Sequence, residues 1–329
     1  MKKRQPIMTN PDPTPPSRSW TSRLYESVHD LEQIQNLLMD GRERTDDWRY
    51  WHVGELIWDF FMVDCHLTPQ KTIRLWHNPA GKLVGYAILG EDPSFNCQVA
   101  PEYVGAGIEA EALAWAERQL GDLPQPEAQP WSKDFVSGVR QDDTRRIAFL
   151  EQHGFQRGEY TEVNMLRRLD KPIPETGLPE GCQVRSVNAE EISERAAAQR
   201  EVWQPWTVGD VSDEDYARFM RLPGYHRDLD IVSVTPDGAI AAYVNGWIDP
   251  LNRIGDFGPV GARQAYRRQG LTRAALLEGL RRMRAYGMER VCISTGISNT
   301  PARCLYESIG FNVMNQYLTY TKTTAVFQK

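Results

Sequence analysis

Tyr266-Arg267-Arg268-Gln269-Gly270-Leu271-Thr272-Arg273, with Leu305-Tyr306-Glu307-Ser308-Ile309-Gly310-Phe311 downstream of it, is the stretch on which the reading of this chain turns. After the glycine, Leu276, Leu280 and Met283 recur at helical spacing, while Arg273, Arg281, Arg282 and Arg284 take other faces. Gly270 therefore stands at the junction of a basic loop and the first turn of an amphipathic helix. Such a junction offers free backbone N–H groups, a positive dipole end and side-chain cations together, which suits a pyrophosphate. Taken alone, the pattern is equally that of a solvated arginine face behind a helix-start glycine.

The chain carries an altered copy of both landmarks. Residues 99–108 lie over 262–271, so that Gly107 stands against Gly270; residues 149–155 lie over 305–311, so that Gly154 stands against Gly310. Order is kept and only loop lengths differ, the mark of a tandem duplication. A length of 329 residues agrees, since one domain takes about 150. Pro172, Pro174, Pro179, Gly177 and Gly181 mark a linker over 169–181. The expected organisation is a disordered tail over 1–20, a first domain over 21–168, the linker, and a second domain over 182–329. Met1-Lys2-Lys3-Arg4 opens like a signal peptide, but prolines and polar residues follow instead of an apolar stretch.

Hydrophobic content of 41% with 25% charged residues is that of a globular protein, and no apolar run approaches the roughly 18 residues of a membrane span. A net charge of −6 argues against general nucleic-acid affinity. Cys65, Cys97, Cys182, Cys292 and Cys304 are odd in number and lack CxxC spacing, so neither a disulfide framework nor a zinc site is expected. A cytoplasmic location fits this usage.

Pattern and turn signals place strands over 23–27, 72–75 and 83–89 in the first half, with helices over 31–41, 50–64 and 144–152 and another from Ile108. In the second half they place a strand near Val184, helices over 189–203 and 213–221, and a hairpin turn at Pro236-Asp237-Gly238. A strand over 254–262, a helix over 271–286, a strand over 290–295, a helix over 300–308 and final strands complete it. The class is α/β (α+β).

Asn299 and Tyr306 are seven residues apart, which returns them to one helix face and lets both reach one ligand. The plainer reading is an N-cap asparagine and a tyrosine packed on the sheet. With Tyr266, Arg267, Gly270, Thr272, Asn299, Pro301, Ala302, Leu305, Tyr306, Glu307, Gly310 and Phe311 in place, the second half resembles the GNAT superfamily of acyl-CoA-dependent N-acetyltransferases. The two-part organisation is similar to tandem GNAT proteins, of which the mycothiol synthase family is one. Thr272 departs from the usual Gly or Ala; its hydroxyl either adds a phosphate contact or crowds the loop.

The resemblance implies two tandem domains, each a mixed, mostly antiparallel sheet flanked by helices, and acetyl-CoA as co-substrate. It assigns pantetheine alignment to the strand end at Ala262, Arg263 and Gln264, and the pyrophosphate to Arg268, Gln269, Gly270, Leu271, Thr272 and Arg273, with Arg267 beside them. A backbone N–H near Val260, Gly261 or Ala262 would polarise the thioester. Asn299 would touch the cofactor arm and Tyr306 would donate to the departing thiolate. Asp256 is the candidate base for a small-molecule amine acceptor, against the plainer reading of a strand-end carboxylate. No metal, membrane or nucleic-acid partner is implied, and the chain is expected as a monomer or homodimer.

The first half departs from the pattern: Val104 stands for Arg267, Glu109 for Thr272, Asp143 for Asn299 and Leu150 for Tyr306. Carboxylates in a first helical turn suit a dipole end without ligand and repel a pyrophosphate. An inactive, supporting first half is expected. Trp48, Trp51, Trp58, Phe60 and Phe61 read first as core and second as a pocket wall. Trp203 and Trp206, ahead of Asp210, Asp213, Glu214 and Asp215, stand where acceptor-facing helices of the superfamily lie; the first reading of them is a solvated helix start with buried tryptophans. The rival functions are peptide or protein N-acetylation and non-catalytic acyl-CoA sensing.

Overall fold

The structure, a computed structural model, describes residues 19–45, 49–63, 67–90, 93–122, 134–175, 177–204 and 211–324. Trp48, Cys65, Trp206, Asp210 and nearly all of the expected tail lie outside them. Trp20, counted with that tail, is ordered by donating its indole N–H to Glu111 at 2.8 Å.

The first half runs β1 (Thr21–Leu24), α1 (Val28–Thr45), α2 (Val53–Trp58), α3 (Pro69–Thr72), β2 (Ile73–His77), β3 (Leu83–Leu89), β4 (Phe95–Val99), α4 (Ile108–Gln119), β5 (Asp134–Arg140), α5 (Thr144–Gln152) and β6 (Gln156–Arg168). The second runs β7 (Gln183–Ser186), α6 (Ile192–Trp203), α7 (Asp213–Phe219), β8 (Asp230–Val234), β9 (Ile240–Asp249), β10 (Ile254–Ala262), α8 (Leu271–Ala285), β11 (Arg290–Gly296), α9 (Thr300–Ser308) and β12 (Asn312–Thr323). The expected strand over 254–262 and helices over 144–152 and 300–308 fall where periodicity puts them. The aromatic segment over 50–64 is instead a short α2 continued by a π-helical turn, Asp59–Val63, a local widening often found beside functional sites.

The strands form a four-stranded sheet, β1-β2-β3-β4, and an eight-stranded one, β5-β12-β6-β11-β10-β9-β8-β7, with one bridge between Ser94 and Val136. The two halves exchange their last strands. β6 leaves the first half to pair antiparallel with β11, Arg168 against Arg290 through Glu162 against Gly296. β12 returns to pair with β5, Tyr317 against Arg140 through Thr323 against Asp134. The exchanged strands also pair with each other, forming the seam.

Packing follows the exchange. Val163 and Met165 of β6 are buried with Leu276, Leu280 and Ile293 of the second half, whereas Leu318 and Tyr320 of β12 are buried with Phe135 and Leu150 of the first. Sequence alone does not reveal this, because β6 and β12 show the same alternation and either pairing buries it. One more element crosses: α2 lies on β9 and β10 so closely that a Cβ at Gly54 would come within 2.3 Å of the Trp247 ring.

Candidate active site

β10 and β11 run parallel and pair only from Ile254 against Arg290 to Phe257 against Ile293. Beyond that point they part: β10 continues beside β9 through a register shift between Phe257 and Val260, and β11 continues beside β6. One edge of β10 from Gly258 onward thus faces an opening in the sheet. Alternation decides what surrounds it. Phe257, Ile293 and Val163 point toward α8 and α9, so Asp256, Cys292 and Glu162 point to the other face, beneath α2.

The opening leads into a cleft of about 470 Å³ whose wall comes from both halves: Asp256, Val260 and Tyr306 from the second, Trp51, Glu55 and Glu162 from the first. Tyr306 is 5% exposed and burial holds its phenol up, so it stays protonated as a donor. Burial first, then the neighbouring charge of Glu55, holds the Asp256 carboxyl well above the ordinary carboxylate range, with Arg42 pulling the other way. Burial also raises Glu55, opposed by Arg42 and by the His52 backbone hydrogen bond. Glu162 is raised by burial against a hydrogen bond from Tyr160, whose hydroxyl donates at 3.1 Å.

His52 fixes this wall in place. Its Nδ1 accepts the Gly54 N–H at 3.1 Å, capping α2, which leaves Nε2 to donate to the Ile254 carbonyl at 3.2 Å. Both bonds need the neutral ring, and burial, then Arg42, pushes its pKa down to about 3. Glu55 completes the capping box by accepting the His52 N–H at 2.7 Å.

At the other end of β10 the basic loop turns on two left-handed residues, Arg268 (φ 64°) and Gly270 (φ 81°). That winding points successive N–H groups to one side, the concave arrangement that binds anions. α8 starts at Leu271 with no side-chain cap, leaving its first-turn donors for a ligand. Arg268, Gln269 and Gly270 are exposed. Two of the expected contact residues have protein partners for their side chains. Arg263 is committed to Glu194 at 2.6 Å and Glu201 at 3.0 Å, which leaves only its backbone for a cofactor. Asn299 caps α9 and donates to Thr295 at 3.1 Å, the plainer of its two readings.

The first half has a cleft of similar size, about 440 Å³, so size does not separate the two; their contents do. Its loop keeps the backbone winding, with Gly105 at φ 73° and Gly107 at φ 122°, but Glu109 accepts the Gly105 N–H at 2.7 Å. The Arg146 guanidinium spans the gap between β4 and β5, donating to Cys97 O at 2.7 Å and Ser137 Oγ at 3.2 Å. Leu150 is buried where the other half has its phenol.

Residues 196–311 match the acetyltransferase (GNAT) family. A mycothiol acetyltransferase of Thermobispora bispora is 31% identical over 263 residues, covering 70% of this chain and 77% of that one. The chain belongs to the GNAT acetyltransferase family. A second mycothiol acetyltransferase, from Acidothermus cellulolyticus, is 24% identical over 70% of this chain and 73% of its own. Among solved structures, a tandem GNAT protein from the clavulanic acid biosynthesis pathway superposes with a TM-score of 0.61 at 16% identity, covering 92% of this chain and 98% of that one. A GCN5-related N-acetyltransferase from Sphaerobacter thermophilus gives 0.59 at 22% identity, covering 94% and 96%; both share the fold. The chain is thus an acyltransferase of a family that generally uses acetyl-CoA, and no helix among the described residues is long and apolar enough to cross a membrane.

Of the acids at the start of α7, Asp213 and Asp215 take the plainer role of a helix start. Asp213 pairs with Arg200 at 2.9 Å, and Asp215 closes the capping box with Ser212 and meets Arg218 at 2.7 Å. Glu55 and Glu162 line the cleft instead, and neither stands in a GNAT motif. Trp51 and Trp58 do form its wall, whereas Phe60 is core.

Proposed function

We propose that this GNAT enzyme transfers the acetyl group of acetyl-CoA to a primary amine by direct attack, at one site in the second half. The observation that carries the reading is the opening between β10 and β11, with an elevated carboxyl below it and a protonated phenol beside it. In the first half the corresponding gap is crossed by Arg146 and the corresponding anion cradle is filled by Glu109. The free edge of β10 fits an extended pantetheine arm added as one more strand. The winding at Arg268 and Gly270 fits the pyrophosphate.

Asp256 takes the ammonium proton, directly or through water, and frees the lone pair that attacks. An N–H on β10 between Val260 and Ala262 holds the carbonyl oxygen as charge develops. Tyr306 donates to the sulfur as the C–S bond breaks, leaving an amide and the free thiol of CoA. An acid and a phenol flanking one opening favour transfer over acyl-CoA sensing. The first half contributes acceptor wall rather than a second transfer site. Relatives named mycothiol acetyltransferases make a mycothiol-type amine one acceptor to include in a screen. Calorimetric titration with acetyl-CoA is expected to give about one site per chain, with thiol release on adding an accepted amine. Two tight sites, or binding without release across an amine panel, would refute the reading.

A further inference from the structure

Asp256, Glu55 and Glu162 form a row, not a point. Glu55 feels the charges of both Arg42 and Glu162 and raises Asp256, whereas Asp256 and Glu162 exert no comparable effect on each other. The strands give the scale. Asp256 is level with Cys292 on β11, and Glu162 is level with Gly296. Four residues of strand separate those levels by roughly 13 Å, and β6 lies two strand spacings, about 10 Å, from β10. Side-chain reach shortens that distance, but the two carboxyls remain at separate places along the cleft, with Glu55 between.

Glu55 and Glu162 each keep an oxygen for a ligand. Glu55 gives Oε2 to the His52 N–H, and Glu162 gives Oε1 to Tyr160; no other protein donor among the described residues meets either. Asp59 stands at the exposed rim. No Lys, Arg or His lines this cleft among the described residues, and Arg42, the cation beneath, is buried and donates to the Tyr50 carbonyl at 2.6 Å. Two tryptophans on the same wall have their indole N–H groups committed, Trp51 to Tyr317 at 3.2 Å and Trp203 to Tyr243 at 2.9 Å. Trp58 packs on Trp203 at 5.7 Å. What they offer a ligand is ring face, which attracts cations.

The transfer itself engages one acid. Once Asp256 has taken the proton, the attacking nitrogen is neutral and becomes an amide, so it gives Glu55 and Glu162 no lasting partner. We propose that the acceptor carries a second protonated nitrogen, several bonds from the one acetylated, held by Glu55 and Glu162 against the faces of Trp51 and Trp58. The acceptor class is a diamine or polyamine. This rests on the transfer reading above, and adds that the first half of the chain sets acceptor specificity.

The test compares acetyl-CoA-dependent thiol release with cadaverine and pentylamine, and with putrescine and butylamine, on the full chain. Diamines are expected to exceed the matched monoamines in kcat/KM by about a hundredfold, as expected when a buried acid is left without its cation. Glu162→Gln is expected to cut the cadaverine-to-pentylamine ratio of kcat/KM about tenfold by raising KM for cadaverine; the matched diamine and monoamine comparison on the parent chain decides the matter if that variant misfolds. Monoamines used as well as diamines would overturn this inference and leave the transfer reading standing. Acetyl-CoA binding with no transfer to any amine would overturn both.

Discussion

Installing in the second half the device that fills the first tests where the cofactor phosphates sit. Glu109 aligns with Thr272 and Gly105 with Arg268, and both loop residues are left-handed, φ 73° and 64°. Thr272→Glu is therefore expected to accept the Arg268 N–H as Glu109 accepts that of Gly105 at 2.7 Å. A carboxylate about 5 Å from a phosphate charge, at an effective dielectric of about 20, repels it by about 3 kcal/mol. Loss of one or two N–H bonds to the anion adds about 1–3 kcal/mol. Together these weaken acetyl-CoA by at least about a hundredfold in Kd. Without ligand, the same carboxylate at a helix start stabilises by about 0.3–1 kcal/mol, so Tm holds or rises slightly. Calorimetric titration beside a thermal melt separates the two effects, and Thr272→Gln, similar in shape and uncharged, should lose less than about tenfold. A folded Thr272→Glu variant that binds acetyl-CoA within threefold of the parent would refute the phosphate assignment.

Tyr306→Phe should lower kcat by about ten- to a hundredfold with the Kd for acetyl-CoA unchanged; unaltered thiol release would remove its donor role. Asp256 is raised in the folded state, so folding takes up protons there, and its contribution to stability falls as pH rises from about 4, its unfolded value, through the raised one. Asp256→Asn should accordingly raise Tm more at pH 8 than at pH 5 while lowering kcat, and an equal change at both pH values would contradict the burial. His52 has the opposite sign: with a pKa near 3 in place of 6.5, its contribution is lost as pH falls between them, up to about 5 kcal/mol. His52→Gln should flatten that acid limb in urea titrations, and an unchanged limb would place the acid sensitivity elsewhere. Residues 182–329 expressed alone lack β6; leaving the sites of Val163, Met165 and Leu169 unfilled costs roughly 5–9 kcal/mol, comparable to the whole stability of a domain. That fragment should show no cooperative melt as a monomer, and a sharp one would show β6 to be dispensable.

Local rules carried much of the fold. Gly270 announced the start of α8 because its left-handed φ is costly for any other residue, and Asn299 announced a helix cap that exists and that its counterpart Asp143 shares. The Gly-Phe landmarks ended α5 and α9 in both halves for the same reason. The candidate site was legible only where it is built from one half. Asp256, Gly270 and Tyr306 sit in patterns with their own periodicity. Glu55 reads as an ordinary capping-box acid and Glu162 as a polar position on an alternating strand. Their approach to Asp256 depends on the strand exchange and on Gly54 letting α2 reach Trp247, neither of which has a sequence period.

The exchange also explains how a half with no free anion cradle remains bound to function. The opening between β10 and β11 persists because β11 has another partner on its far side, and that partner is β6, from the first half. The same strand delivers Glu162 into the cleft, and its Arg167 donates to the Ile309 carbonyl at the end of α9, the helix that carries Tyr306, and to Pro172 of the linker at 2.7 Å. Glu109 and Arg146, which on the proposed reading close the first half to cofactor, lie on its own loop and its own gap. Among the described residues neither forms a hydrogen bond or ion pair with α2 or β6. On that reading, loss of cofactor binding in one half is separable from loss of the catalytic surface of the other, and the residues of the first half expected to matter for transfer are those on its exported elements.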